Sequence, residues 1–307
     1  MITSKFPTKN SSKEMNTTLA RGPLLSLLPK NSRLDYKEVL PNGNCFSSRA
    51  SSFKCRCLRN EHTSKPHEGF SVLKTDIRGD IGSVWSSMGF YLFSIHIPLS
   101  FGGLSAAAKI LHRPVLNPQV EAFLILGIQA LELSIVLWLL KCPGKPQYDL
   151  SDFLHANKSS EERSWLLASL LGFGLLLSLV FITSYLADTL MGHRDVNNPI
   201  LKEILSSGSN SITACILVYC IITPLLEEVV YRGFLVTSLA SKMKWQQAVT
   251  ISSIVFSASH LSGEDFLQLF IVGFVLGCSY CWTGKLNSSI VIHSLYNAVI
   301  LFLTYIS

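Results

Sequence analysis

Charge is scarce in this chain. Only 15% of its 307 residues are Asp, Glu, Lys or Arg, against about 25% in an average soluble protein. A soluble fold of this length needs a polar surface that so few charges do not supply. Acids are rarest at the start, where residues 1–60 hold eleven Lys or Arg but only Glu14, Asp35 and Glu38. There is no basic stripe interleaved with aromatics and no helix-turn-helix or RNA-binding pattern. The net charge of +6, which comes mainly from the first 60 residues and the loops, therefore does not point to nucleic acid. A disulfide framework is missing as well. The eight cysteines are irregularly spaced, and Cys215, Cys220, Cys278 and Cys281 fall inside hydrophobic runs, where small residues serve helix packing. No HExxH zinc motif is present, and no internal repeat of the kind that transporters show.

What the chain has instead is long apolar runs and a mean hydropathy of +0.36. Seven hydrophobic segments stand out, at about 84–108, 119–140, 164–187, 211–235, 247–260, 265–284 and 288–306. Most reach the roughly 20 residues a helix needs to cross the hydrocarbon; the fifth is short and polar. A backbone in lipid must satisfy its own hydrogen bonds, so the expected fold is all-α, a polytopic transmembrane helix bundle of about seven spans. The spacing of Gly273 and Gly277 predicts close helix packing in the sixth segment.

Residues 1–75 read differently. They are basic, rich in Ser and Thr and poor in acids, the composition of an organellar transit peptide followed by a disordered leader. Abundant Ser without an Arg-rich amphipathic pattern favours a chloroplast over a mitochondrion, so a multi-pass protein of a chloroplast membrane, envelope or thylakoid, is expected; the other reading is a disordered cytosolic tail. Loop charges orient the bundle. Lys74, Arg78, Lys141, Lys145, Lys158, Arg163, Lys242, Lys244 and Lys285 fall on one side, and Lys109, Arg113, Arg194 and Lys202 on the other. The N-terminus is thus expected on the stromal side, and with seven spans the C-terminus on the opposite one.

Charges inside a span cost at least about 2.5–3.5 kcal/mol each, which makes them functional candidates. The fourth segment contains Glu227-Glu228-Val-Val-Tyr-Arg232. Glu228 and Arg232, at i and i+4, are placed to pair, as a purely structural ion pair would. Glu227 points elsewhere, rotated about 100° from Glu228. Phe256-Ser-Ala-Ser-His260 ends the fifth segment, and His293-Ser-Leu-Tyr-Asn297 lies in the seventh. At about 1.5 Å per residue, Glu227, His260, His293 and Asn297 fall at overlapping depths.

The ordered motifs EExxxR, FxxxH and HxxxN resemble the CPBP family of CAAX prenyl endopeptidases of the Rce1 type and bacteriocin-processing proteins. The resemblance covers about residues 210–305, so that 205–306 is expected to form the catalytic domain and 84–190 a set of N-terminal membrane helices. It implies an intramembrane endopeptidase acting on a polypeptide substrate. By carry-over Glu227 is the general base that activates water, with His260 beside it. His293 and Asn297 hold the oxyanion, and Glu228 and Arg232 support the helix. The resemblance favours a glutamate-type enzyme with no cofactor; zinc held by Glu227, His260 and His293 is the metal alternative. A non-catalytic scaffold or stabiliser of other membrane proteins is the competing reading.

Overall fold

The computed structural model describes residues 69–73, 80–113, 115–141, 163–191 and 198–307, nearly all helical and without strands among them. The expected leader at 1–75 lies almost entirely outside the described residues. Among the described residues eight helices follow in order: α1 Ile81–Ile110, α2 Pro118–Lys141, α3 Trp165–Met191, α4 Pro199–Ser206, α5 Ser209–Ala240, α6 Trp245–Ser259, α7 Phe266–Thr283 and α8 Leu286–Ile306. All seven expected segments are helices, and α4 is an addition. Its start is set by Asn198, whose side chain caps the Leu201 N–H at 3.1 Å, and by Pro199 at its first position.

Six of these helices are long and apolar enough to cross a membrane, and the chain is a multi-pass membrane protein. The exception is α6, with 15 residues. Its polarity has a structural reason, because its serines face protein. Ser252, Ser253, Ser257 and Ser259 are all buried. Ser252 donates to the Tyr231 carbonyl at 3.0 Å, and Ser259 accepts from the Tyr231 hydroxyl at 2.7 Å. A helix enclosed by other helices need not be apolar.

The main core joins α1, α2, α5, α6 and α7 through Met88, Tyr91, Val136, Leu226, Tyr231 and Phe256, among others. Behind it, Leu176 of α3 packs against Leu276 of α7 and Ile292 of α8. The glycine pair of α7 acts as expected. A Cβ at Gly273 would lie 3.2 Å from the Ser253 Cα, and one at Gly277 would lie 2.8 Å from a Val249 methyl. Both residues let α6 lie directly on α7.

Two helices carry wide turns, each set just before a proline. In α1 the turn is Leu92–His96, ahead of Pro98; in α5 it is Leu217–Ile222, ahead of Pro224. A proline has no N–H to donate and its ring crowds the preceding turn, which a π-type widening relieves. A second wide turn in α5, Val229–Val236, carries Arg232.

Candidate active site

Glu227 sits in mid-α5, 4% exposed. His260 lies just beyond the last turn of α6, where its Nδ1 bonds the Phe256 carbonyl at 2.7 Å. That bond leaves Nε2 directed elsewhere, and Nε2 lies 3.7 Å from Glu227 Oε1. His293 enters from α8, fully buried, with Nε2 3.5 Å from Glu227 Oε2. The two oxygens of one carboxylate thus each face an imidazole from a different helix. Phe256 forms a wall beside them. Its ring centroid is 4.8 Å from that of His260 and 6.2 Å from that of His293.

Glu228 is more than the partner of one arginine. Its Oε1 accepts from Arg232 Nη1 at 2.7 Å and lies 2.9 Å from His293 Nδ1. Arg232 Nη2 in turn donates to the Gly273 carbonyl at 3.0 Å, and its guanidinium rests 4.9 Å from the centroid of the Phe256 ring. All three side chains are at most 1% exposed. One network therefore ties α5, α7 and α8 together. It also fixes the His293 ring, because Nδ1 must carry the proton it gives to Glu228, and Nε2 is left for Glu227.

Asn297 lies one turn beyond His293 and is 1% exposed. Its Nδ2 donates to the Tyr219 carbonyl at 2.8 Å. This acceptor exists because of the wide turn before Pro224. The Thr223 N–H bonds back to Val218, and Pro224 has no N–H to offer, so the Tyr219 carbonyl has no donor within its own helix. One of the two amide N–H groups expected for an oxyanion is thus engaged in tying α8 to α5.

Glu227, His260 and His293 converge, yet no group of three or more His, Cys, Asp or Glu among the described residues is arranged to hold a metal ion. The cysteines at 215, 220, 278 and 281 are free thiols and stand apart from the site.

Sequence reasoning passed over a second polar cluster. Glu132 of α2 is fully buried. Its Oε1 accepts from the Tyr91 hydroxyl at 2.8 Å and lies 2.8 Å from His96 Nδ1. The signal was available, since Glu132 and His96 are ionisable residues within apolar runs and meet the same criterion that singled out Glu227.

Comparison with known proteins bears on the same helices. Residues 209–299 match the family model described as type II CAAX prenyl endopeptidase Rce1-like. The chain is 29% identical over 138 residues to the membrane-embedded CAAX protease MroQ of Staphylococcus aureus (strain USA300), an alignment covering 43% of this chain. It spans about half of that relative, 55% of its length. No solved structure matches. The matched stretch runs from the start of α5 into α8 and contains the buried network of Glu227, Glu228, Arg232, His260, His293 and Asn297, so that residues 209–299 are similar to the Rce1-like CAAX endopeptidase domain.

Proposed function

We propose that the chain is an intramembrane endopeptidase of the glutamate type, with Glu227 as general base. The observation that carries this reading is the single buried carboxylate faced by two imidazole Nε2 atoms at 3.5 and 3.7 Å. Both gaps exceed a direct hydrogen bond, and one water bridges such a separation. Glu227 takes a proton from that water, and the oxygen adds to the substrate carbonyl. His260, anchored through Nδ1, keeps Nε2 on the same water. His293, held through Nδ1 by Glu228, acts as an imidazolium between the two carboxylates and presents its Nε2–H to the charge that builds on the carbonyl oxygen, and the remaining N–H of Asn297 lies one turn away. In a site shut off from bulk water such donors stabilise an oxyanion far better than they would in solution. When the C–N bond breaks, the amine leaves with a proton and the carboxyl product with the hydroxyl.

The substrate is a polypeptide in or at the membrane. The basic, hydroxyl-rich composition of the leader favours a chloroplast membrane, where the partners would be other membrane or stromal polypeptides.

The test is digestion of a mixture of synthetic transmembrane and juxtamembrane peptides by the full chain in proteoliposomes, read by mass spectrometry. Wild type is expected to cut. Glu227→Gln is expected to lose activity by about 10²–10⁴-fold, the contribution of a positioned general base, with an unchanged unfolding temperature. A variant that cuts as well as wild type overturns the enzyme reading in favour of a scaffold. A chelator such as EDTA is expected to leave the rate unaltered, and loss restored by added zinc would contradict the glutamate mechanism.

A further inference from the structure

Tyr231 has no part in the mechanism above, yet it is fully buried, and both its carbonyl and its hydroxyl are directed at α6. The carbonyl accepts from Ser252 Oγ at 3.0 Å, and the hydroxyl donates to Ser259 Oγ at 2.7 Å. The two serines are seven residues apart, which places them on one face of the helix and about 10 Å apart along it. One residue of α5 thus grips α6 at two heights. A single bond would let α6 slide or roll about it; two on one face fix its depth against α5.

The grip reaches the site. Ser259 Oγ, which accepts from Tyr231, donates to the Phe256 carbonyl at 2.8 Å. The same carbonyl takes His260 Nδ1 at 2.7 Å. It is open to two side chains because α6 ends there. The His260 N–H bonds the Ser257 carbonyl at 3.3 Å instead of continuing the helix, and Leu261 turns left-handed at φ 51. With no further turn around it, the His260 ring takes its orientation from that carbonyl. A carbonyl only accepts, so Nδ1 carries the proton and Nε2 of the neutral ring is an acceptor, 3.7 Å from Glu227 Oε1. The rings follow the same path. Phe256 stands edge-on to Tyr231, with centroids 5.1 Å apart, and to His260 at 4.8 Å. From Tyr231 to His260 the route is unbroken, with every hydrogen bond at 2.7 or 2.8 Å.

We infer that Tyr231 is a positioning residue for hydrolysis: through Ser259 and the Phe256 carbonyl it holds His260 so that Nε2 accepts from the attacking water beside Glu227. This rests on the reading of Glu227 as base with His260 on the same water. Tyr231 itself exchanges no proton. It removes freedom that the water-facing nitrogen would otherwise have.

The probe is a synthetic transmembrane peptide cut in the proteoliposome digest, with every variant assayed below its unfolding temperature. Tyr231→Phe keeps the ring and its packing and removes only the hydroxyl. It is expected to lower kcat about 10–10²-fold, the scale of a misplacement of up to 1 Å, with KM close to that of wild type. Ser259→Ala should do the same. Ser253→Ala removes a buried hydroxyl of the same helix that bonds its own Val249 carbonyl at 2.7 Å, and should leave kcat near the wild-type value; a loss equal to that of Tyr231→Phe overturns the proposal. The deciding comparison is made in a His260→Ala background. There Tyr231→Phe must cost nothing further, because the group it positions is gone. If Tyr231→Phe cuts as fast as wild type, or its loss persists in full without His260, the proposal is overturned. If Glu227→Gln cuts like wild type, the reading of Glu227 fails instead, and the Tyr231–His260 comparison still decides whether one acts through the other. Should the wild type cut no peptide, or His260→Ala leave no measurable rate, solid-state NMR of the full chain in proteoliposomes measures the separation of His260 Nε2 from the Glu227 carboxyl carbon. Tyr231→Phe must lengthen it, and an unchanged separation overturns the proposal.

Discussion

Glu228 shows how little a neighbour in sequence constrains a role. It and Glu227 are adjacent and both buried, yet one faces two imidazoles at 3.5 and 3.7 Å and the other is locked between Arg232 and His293 at 2.7 and 2.9 Å. The difference predicts opposite behaviour on substitution. Glu227→Gln should remove activity and leave stability alone. Glu228→Gln leaves the Arg232 charge buried without a counter-charge, and should lower stability by about 3–5 kcal/mol, the usual cost of breaking a buried pair. Thermal unfolding in nanodiscs separates the two. Asn297→Ala deprives the Tyr219 carbonyl of its donor, and should cost about 1–3 kcal/mol as an unsatisfied buried acceptor. The i, i+4 spacing of Glu228 and Arg232 made their pairing legible in the sequence. The third member, His293, was not, since it arrives from a helix 65 residues further on.

At the scale of elements, α5 owes its shape to Pro224 and to the wide turns Leu217–Ile222 and Val229–Val236 that flank it. Pro224→Ala restores an N–H and allows a regular helix. The Tyr219 carbonyl would then find a donor in its own helix, and Asn297 would be released. We expect a helix at least as stable, with peptide cleavage reduced about 10²-fold, the cost of a misplacement near 1 Å. Measuring unfolding temperature and cleavage rate on the same preparation checks both halves. The α6–α7 contact offers a second case. At Gly273 a Cβ meets the Ser253 backbone, whereas at Gly277 it meets a Val249 methyl. A backbone atom cannot rotate away, so Gly273→Ala should destabilise by about 1–3 kcal/mol and Gly277→Ala by less. The GxxxG spacing foretold this contact, and the polarity of the fifth segment foretold that α6 differs from the other spans. The wide turns had no comparable signature, because a proline in a membrane helix can be met by a kink or by a widened turn.

For the whole molecule, α6 and α7 are neighbours joined by a short loop, so residues 242 and 285 lie at one end of the pair and Gly263 at the other. With all eight native cysteines replaced, single cysteines at 242 and 285 should react with a membrane-impermeant maleimide from the same side, the one rich in Lys and Arg. A cysteine at 263 should react from the opposite side. Labelling of all three from one side would mean that α6 does not cross.

Composition and hydrophobic run length by themselves determined that the chain is a helical membrane protein, because lipid admits few other backbones. The cost of charge in hydrocarbon likewise marked Glu227, Glu228, Arg232 and His293 within their own segments. Only the tertiary structure decided which carboxylate faces the histidines, that Asn297 bonds a carbonyl freed by Pro224, and that Glu132 of α2 meets Tyr91 and His96 of α1. Those outcomes depend on rotation and depth of one helix against another. Packing between helices far apart in the chain sets them, and no local periodicity encodes it.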